Sequence, residues 1–575
     1  MKTPAIIAFI VIITSSVALS ETRRLKLSSN PLNYTLPQSI DTSHLQMTFN
    51  QLINIYRLNG HLEASIDGFQ IDSSDVKVAF HAGPRYAMKV TQLLVDSPIF
   101  VPQIQGYTSP IDSTIFLQQA YTLLTHLENH GFPFSRVEPH YQISDSLLLV
   151  KFQIHCGTRV VFDTVHLEGE KLLSQSFLAA YIGMTPNALY NESVFKSIDK
   201  RLNQLPFLRI EHPSQMAFYG SGKAKPFVYV KSRPSDQVNA LLGFAPNANN
   251  DKLLLTGELQ LKLNNLFRSA KAFQLHWRSF KPNTQELKSS INLPYILSSP
   301  LGLDLKLNFL KYDSSFSTTQ SQIACQYYTS GLNGLQWFYQ RSSTNLNVVD
   351  TIQIRLNKRL PQSHSMLVQQ YGLQWIMSNL DQALNPTRGI QIDAKLSAGY
   401  KTLIKIPSIE QLRWGGNSIY DSMNLKTLQG QYAFKCDVYQ PIKSTQTIRF
   451  GCQMAQIIAQ QVYFNELFRE GGLNSLKGFN EQSIFASNFN MLDLEYRKLL
   501  SPLSHVKCFI NGAYYEDKNS SRTTPLYQKA FGFGIGASLQ TSAGLLQLNY
   551  ALGKQLGEPI IIKNGKFHIG ISNYF

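Results

Sequence analysis

The chain contains few residue patterns that could carry out a reaction. No G-x-S-x-G motif of a serine hydrolase is present, and the 5 cysteines are scattered without a C-x-x-C pair. The 13 histidines show no spacing from which we would predict a metal site. The glycines of segment 531–536 could be taken for a phosphate-binding loop, but they alternate with apolar residues and no helix follows. We therefore expect neither enzymatic activity nor a bound metal or cofactor.

Ion pairing is the chemistry that the sequence supports best. Asp493 and Glu495 alternate with three apolar residues, so a strand at this point would place both carboxylates on its polar face. The preceding segment, 468–481, contains three glycines and Lys477. These three charged side chains are therefore the candidates for an ion pair.

The strands that would position these groups follow from a period-two pattern. Apolar and polar residues alternate from about residue 236 to the C-terminus, which predicts sixteen β-strands. Connections after even-numbered strands are mostly tight, whereas the later connections after odd-numbered strands are long. This combination is typical of a bacterial outer-membrane β-barrel. Segment 351–357 also alternates, and we assign it to a long loop because a seventeenth strand would put the C-terminus outside.

The N-terminal part follows a different pattern. Residues 1–20 combine a short positive start, an apolar run and small residues, which predicts a secretory signal peptide cleaved after Ser20. Helix-then-strand patterns that end at glycines recur over residues 21–83, 84–157 and 158–232, the first copy being irregular. We predict three small α+β domains, followed by a barrel over residues 233–575.

The first and last predicted strands have special features. The first carries Gly243 and ends at Pro246, which has no N–H to donate to a ladder. The last contains Gly570 and ends on Phe575, and a terminal aromatic resembles the recognition signal of outer-membrane proteins. We expect a weak seam between these two strands, at which an incoming strand could add to an exposed edge.

Several motifs resemble those of the BamA/TamA family of outer-membrane assembly factors. The α+β repeats are similar to its periplasmic POTRA domains, and three motifs are similar to its sixth outer loop, a periplasmic turn and a barrel strand. The matching residues are Lys477, Gly478 and Phe479 in the loop, Pro386, Arg388 and Gly389 in the turn, and Asn511 in the strand. The resemblance implies three POTRA-like domains and a 16-stranded antiparallel transmembrane β-barrel, an α+β region followed by an all-β one.

The chain departs from this family at two linked positions. The family's loop arginine is Lys477 here, and its strand aspartate is Asn511. In the family those two groups form an ion pair that holds the loop inside the barrel. A lysine supplies a flexible point charge instead of a guanidinium fork, and Asp493 or Glu495 would have to replace the lost carboxylate. The alternative is a loop that is held less firmly.

The resemblance also implies a function. It predicts a protein of the bacterial outer membrane, with its POTRA domains in the periplasm, that binds and inserts unfolded outer-membrane proteins. Expected partners are those clients, periplasmic chaperones or accessory lipoproteins, and outer-membrane lipid. The net charge of +16 could suit nucleic acid, but export makes such a partner improbable. The alternatives are a secretion pore for one exported partner, and a passive channel or adhesin.

Overall fold

The computed structural model describes residues 22–29, 31, 40–41, 44–72, 75–96, 108–110, 113–144, 147–246, 253–281, 283–472, 475–519, 524–541, 544–555, 557, 559 and 565–572. The predicted signal peptide and Phe575 lie outside these residues. The chain divides into two compact units. The first comprises Met1–Val160 and Leu189–Glu192, and the second comprises Val161–Ala188 and Ser193–Phe575.

The first unit contains two similar four-stranded sheets, each covered by one long helix. The elements of the first sheet are β1 (Thr22–Leu27), β2 (Ile40–Asp41), α1 (Leu45–Leu58), β3 (Ser65–Ile71) and β4 (Asp75–His81). Those of the second are β5 (Ala87–Val95), β6 (Thr108–Pro110), α2 (Ser113–Asn129), β7 (Arg136–Ser144) and β8 (Leu147–His155). The strand orders are β2-β1-β4-β3 and β6-β5-β8-β7, with the two central strands parallel in both.

The recurring glycines of the sequence have the same backbone role in both sheets. Gly60 and Gly131 follow the two helices with φ angles of 98° and 96°, and Gly83 and Gly157 follow β4 and β8 with φ of 70° in each. Residues with a side chain rarely adopt these φ angles. Glycine adopts them without a steric penalty, which explains why it occurs at all four positions. The repeat seen in the sequence therefore reflects a repeated chain path.

The second unit begins with a third α/β module. Its elements are β9 (Val161–Phe162), β10 (His166–Gly169), α3 (Gln175–Ile182), α4 (Glu192–Lys196), α5 (Ile198–Asn203), β11 (Leu208–Tyr219) and β12 (Lys223–Ser232). The strand order is β10-β12-β11, with β9 also pairing with β12. Ser197 separates the two short helices α4 and α5.

Sixteen antiparallel strands form the large sheet of the second unit, which confirms the predicted fold class. They are β13 (Gln237–Pro246), β14 (Leu253–Leu266), β15 (Lys271–Lys281), β16 (Thr284–Leu293), β17 (Leu301–Tyr312), β18 (Phe316–Ser330), β19 (Asn333–Leu346), β20 (Met366–Ser378), β21 (Gly389–Leu403), β24 (Lys426–Lys443), β25 (Gln446–Ala459), β28 (Asn488–Leu499), β29 (His505–Asp517), β30 (Leu526–Thr541), β31 (Gly544–Gln555) and β32 (Lys566–Ser572). Each strand pairs with the next member of this series. Successive connections alternate between the two ends of the sheet. The three longest, 347–365, 404–425 and 460–487, share one end, the loop end, and the opposite end is the turn end.

The two edges of this sheet meet without joining. Cα atoms of β13 and β32 come within 8 Å of each other, yet no ladder links the two strands among the described residues. By contrast, β13 pairs with β14 along its whole length, including Gly243 opposite Thr256 and Pro246 opposite Leu253. Over the described residues, the seam of the barrel therefore lacks the ladder that joins every other pair of neighbouring strands.

The faces of the large sheet have opposite chemistry. Outward side chains are apolar and exposed, as at Ile323, Trp337 and Tyr371, whereas glutamines such as Gln322 and Gln370 are buried on the inner face. An apolar exterior around a polar interior is the pattern of a membrane-spanning barrel. Among the described residues, no helix is both long and apolar enough to cross a membrane.

The long connections carry small elements of their own. Segment Thr351–Asn357 is a helix, α6, so it is not a further strand. The other elements are α7 (Pro407–Glu410), β22 (Arg413–Trp414), β23 (Asn417–Ser418), β26 (Phe468–Glu470) and β27 (Ile484–Ala486). Ile354 of α6, Ile409 of α7 and Tyr420 pack together in one apolar cluster. The loop end thus has its own core above the barrel strands.

The third α/β module packs on the turn end through aromatic rings. Tyr295 and Tyr328, from the β16–β17 turn and β18, stack with ring centroids 4.7 Å apart. Phe177 and Tyr181 of α3 meet Tyr295 edge-on at 5.7 and 5.8 Å. Such pairs add stability beyond the apolar area that they bury. This module and the barrel therefore share a continuous core.

Candidate functional site

The connection between β25 and β28 enters the barrel interior. Its strands β26 and β27 form a short hairpin, and beyond the hairpin strands Leu476 and Phe479 pack against the inner face of the sheet. Their contacts there include Phe489 of β28 and Ala530 of β30. We call residues 460–487 the inner loop.

The tip of the inner loop brings Lys477 to two acidic residues. Its Nζ lies 3.0 Å from Asp493 Oδ2 and 3.0 Å from Glu495 Oε1, so the structure places the ammonium group between both candidate carboxylates. The same Nζ lies 4.9 Å from the ring centroid of Phe509, within the range of a cation–π contact. All three charged side chains are buried.

Further cations surround the two carboxylates. Arg449 Nη1 lies 2.5 Å from Asp493 Oδ2 and 3.0 Å from Glu495 Oε1, and its Nη2 lies 2.6 Å from Asp437 Oδ1. Arg497 donates to Glu495 Oε2 from Nε and Nη2, at 3.1 and 2.7 Å. These residues form the ion cluster, with Lys507 as an outer member whose Nζ is 3.7 Å from Glu495 Oε1. Buried charges are tolerated only when they are paired in this way.

Asn511 makes no side-chain hydrogen bond to Lys477 among the described residues. It lies directly opposite Asp493 in the β28–β29 ladder and is only 1% exposed. Neither its amide oxygen nor its amide nitrogen has a hydrogen-bond partner among the described residues. The carboxylate that meets the loop cation is thus supplied one strand earlier than the resemblance implied.

Glycines make room for the tip of the inner loop. A Cβ atom at Gly532 of β30 would lie 2.0 Å from the carbonyl oxygen of Lys477, and one at Gly478 would lie 2.7 Å from the backbone nitrogen of Gly553. Both distances are far shorter than any van der Waals contact. Gly532 therefore has a packing role, because its lack of a side chain leaves room for the tip of the inner loop.

The other predicted site residues are not members of the ion cluster. Pro386, Arg388 and Gly389 belong to the turn between β20 and β21, where Asp381 accepts hydrogen bonds from the backbone N–H groups of Thr387 and Arg388 at 3.0 and 3.2 Å. Gly389 has φ of 117°. The structure thus gives this motif a clear part in shaping the turn. Gly243, Pro246 and Gly570 lie in the two seam strands.

Several groups of the site were missed at the level of sequence. Arg449 and Asp437 lie on β25 and β24, and their alternation alone would have put them on the polar face. The buried pair of Lys401 with Glu466, 3.0 Å apart, also ties β21 to the base of the inner loop. His126, in the last turn of α2, stacks with His130 just beyond the helix, an i, i+4 spacing that the sequence also contains. No set of three potential metal ligands occurs in the part of the chain that the structure describes.

Comparisons with known proteins agree with this architecture. Residues 246–575 match the Omp85 superfamily domain. CdiB from Escherichia coli has a similar structure, with a TM-score of 0.55 at 12% identity over 93% of this chain and 98% of that one. CdiB from Acinetobacter baumannii gives 0.50 at 12% identity over 93% and 100%. BamA from Haemophilus ducreyi lacking POTRA domains 1–3 gives 0.42 at 15% identity over 85% and 100%.

These comparisons settle the family. No curated protein matches the sequence of the chain. The two CdiB structures share its fold over almost the entire length, and the superfamily domain covers more than half of the residues. Proteins of this superfamily reside in the outer membrane, in keeping with the apolar exterior of the barrel. The chain belongs to the Omp85 superfamily.

Proposed function

We propose that the chain assembles other outer-membrane proteins: it binds unfolded clients by strand addition and inserts them through the seam between β13 and β32. The observation that carries the proposal is the unpaired seam, because a strand edge without ladder partners can accept an incoming strand. The short Gly243-containing strand that ends at Pro246 supports the same reading.

The outer strands of the two N-terminal sheets support client binding. β3 and β7 are the outer strands of their sheets, and each exposes apolar side chains. These are Phe69 and Ile71 on β3, and Tyr141 and Ile143 on β7. An extended peptide could add to such an edge through main-chain hydrogen bonds while its side chains meet the apolar residues. No enzymatic step is required for either activity, and we propose that the protein is not an enzyme.

The setting that we propose follows from the same scheme. The signal peptide of this chain would be removed on export, and the N-terminal modules would lie in the periplasm. Unfolded clients would reach the same compartment after their own signal peptides are removed. Periplasmic chaperones or accessory lipoproteins would deliver clients, and outer-membrane lipid would surround the barrel. The inner loop, packed against β28–β30 by Leu476 and Phe479, favours this role over that of a freely open solute channel.

A secretion pore for one exported partner is the second candidate, since it would use the same modules and barrel. Depletion of the protein separates the possibilities. A general loss of barrel proteins from the outer membrane would support assembly, whereas loss of a single secreted protein would support the pore. Unchanged assembly and secretion, with altered solute uptake or adhesion, would instead support a passive channel or an adhesin.

A covalent lock across the seam should abolish client insertion. Cysteines introduced at successive positions of β13 and β32 would form disulfides that prevent the two strands from separating. We expect oxidised variants to lose client assembly and to regain it on reduction, as measured by the amount of folded client in the membrane.

The matched control locks a pair of strands that is already joined. Asn239 and Gln260 lie opposite each other on β13 and β14, so cysteines at these positions would cross-link an existing ladder. This variant should keep its activity when oxidised. Full client assembly by a protein locked between β13 and β32 would refute opening of the seam.

A further inference from the structure

The turn end of the barrel contains a cavity to which none of the preceding functions assigns a role. Its volume is about 720 Å³, and it lies between the third α/β module and the barrel turns. The module contributes the start of β11 and the end of β12. The barrel contributes the turns at 382–386 and 501–503 and the adjoining ends of β30 and β31.

The lining of this cavity combines positive charge with apolar surface. Arg209, Arg233, Arg497 and His505 all contribute to its wall, and none of the described residues that line it is acidic. Between these groups lie the apolar side chains of Leu384, Pro386, Pro502, Leu503 and Leu545. Such a wall would repel a cation and would leave the charge of a bound anion unopposed by any carboxylate.

Two of the cationic side chains are already engaged. Arg497 donates to Glu495 in the ion cluster. Arg233 donates to the carbonyl oxygens of Pro206 and Leu205, at 2.8 and 3.3 Å. Both therefore contribute positive potential but have fewer hydrogens left to offer a ligand.

The other two basic groups have capacity to spare. Arg209 is exposed and makes no ion pair with a described residue. His505 is only 8% exposed, and its Nδ1 atom has no hydrogen-bond partner in the described part of the chain. A buried polar atom without a partner costs free energy, so an arrangement of this kind is expected where a ligand completes the pairing.

We propose that this cavity binds a carboxylate carried on an apolar body. The guanidinium of Arg209 presents parallel N–H groups that match the two oxygens of a carboxylate, and a rotation of the His505 ring would bring its partnerless Nδ1 to the ligand as a further donor. The leucine and proline side chains would cover the apolar part. Two sources have this chemistry: the C-terminal residue of a polypeptide chain and a free fatty acid. Binding of such a ligand would be an activity separate from client insertion, because it could be measured in the absence of any client.

The test uses the full-length protein in lipid nanodiscs and three probes. These are a fluorescent heptapeptide that ends in a free phenylalanine carboxylate, the same peptide with a C-terminal amide, and dodecanoate as a competitor. Fluorescence anisotropy would give the dissociation constant of each peptide. We expect the acid to bind at least tenfold more tightly than the amide, which corresponds to about 1.4 kcal/mol.

Variants locate the binding to the cavity. Arg209→Gln should weaken binding of the acid about tenfold, because a charge-assisted hydrogen bond is lost. Arg359→Gln, an exposed arginine just after α6 at the loop end, is the matched control and should change nothing. Ala383→Trp, which adds bulk to the wall, should abolish binding even if other cations can replace Arg209.

The outcomes are distinct for the two sources. Displacement of the acid peptide by dodecanoate, with micromolar affinity for both, supports a site that accepts either source. Binding of the acid peptide alone assigns the site to polypeptide C-termini, and binding of dodecanoate alone assigns it to acyl chains. Equal binding of acid and amide peptides together with no displacement by dodecanoate, or binding that survives both Arg209→Gln and Ala383→Trp, would overturn the proposal.

Discussion

We expect the substitution Lys477→Met to release the inner loop from the barrel interior. Its ammonium group is the loop's only charged link to Asp493 and Glu495 within the described residues. Removing one partner of a buried ion pair costs about 3–5 kcal/mol when the remaining charge is left unpaired. Here Arg449 and Arg497 still face the carboxylates, so we expect a cost of roughly 2 kcal/mol. Limited proteolysis should then cleave the inner loop much faster, and client assembly should fall with it.

Two further variants make this result specific. Lys435→Met removes a lysine that is largely exposed and 4.0 Å from Asp437 at the margin of the ion cluster, and it should have little effect. Lys477→Arg keeps the charge and should restore protection of the loop. If Lys477→Met and the wild type were cleaved at the same rate, the proposed role of this pair as a lock would be wrong.

The substitution Gly532→Ala should displace the same loop by steric overlap, with all charges intact. The new methyl group would lie 2.0 Å from the carbonyl oxygen of Lys477 and 2.6 Å from Oδ1 of Asn511, distances that neither backbone can accommodate without moving. Overpacking of this kind usually costs about 1–3 kcal/mol. Because the obstruction lies on a rigid strand, we expect the loop to move, and its proteolysis should increase as in Lys477→Met.

Gly430→Ala provides the comparison for this steric effect. Gly430 is also a barrel glycine, on β24, but its nearest neighbours would lie 3.8 Å from the added Cβ, an ordinary contact. This variant should keep wild-type protection and activity. Equal behaviour of the two alanine variants would show that the tip of the loop does not rest on β30.

The strands could be predicted from sequence because each one faces two different environments. Lipid outside and polar side chains inside impose a period of two on strands such as Leu301–Tyr312, and this period gives the predicted number of sixteen strands. The same rule fails where a segment meets neither environment. Residues 351–357 alternate, yet they form a helix because Asp350 caps its first turn and Ile354 packs into the core of the loop end.

The ion cluster was only partly predictable. Alternation is enough to place Asp493 and Glu495 on the inner face, and the loop motif identifies Lys477 as the candidate cation. It does not reveal that Arg449 lies opposite Glu495 or that Asn511 lies opposite Asp493, because those neighbours depend on the register between strands. Register follows from pairing along whole strands and has no signature in any short motif.

The aromatic contact at the turn end has a practical consequence for dissecting this protein. Truncation of the chain at residue 233, where the composition changes, would remove Phe177 and Tyr181 from their contacts with Tyr295. The rings of Tyr295 and Tyr328 would then be exposed to water. The smallest fragment that we expect to refold would therefore begin near Val161. The third module and the barrel are best treated as one folding unit.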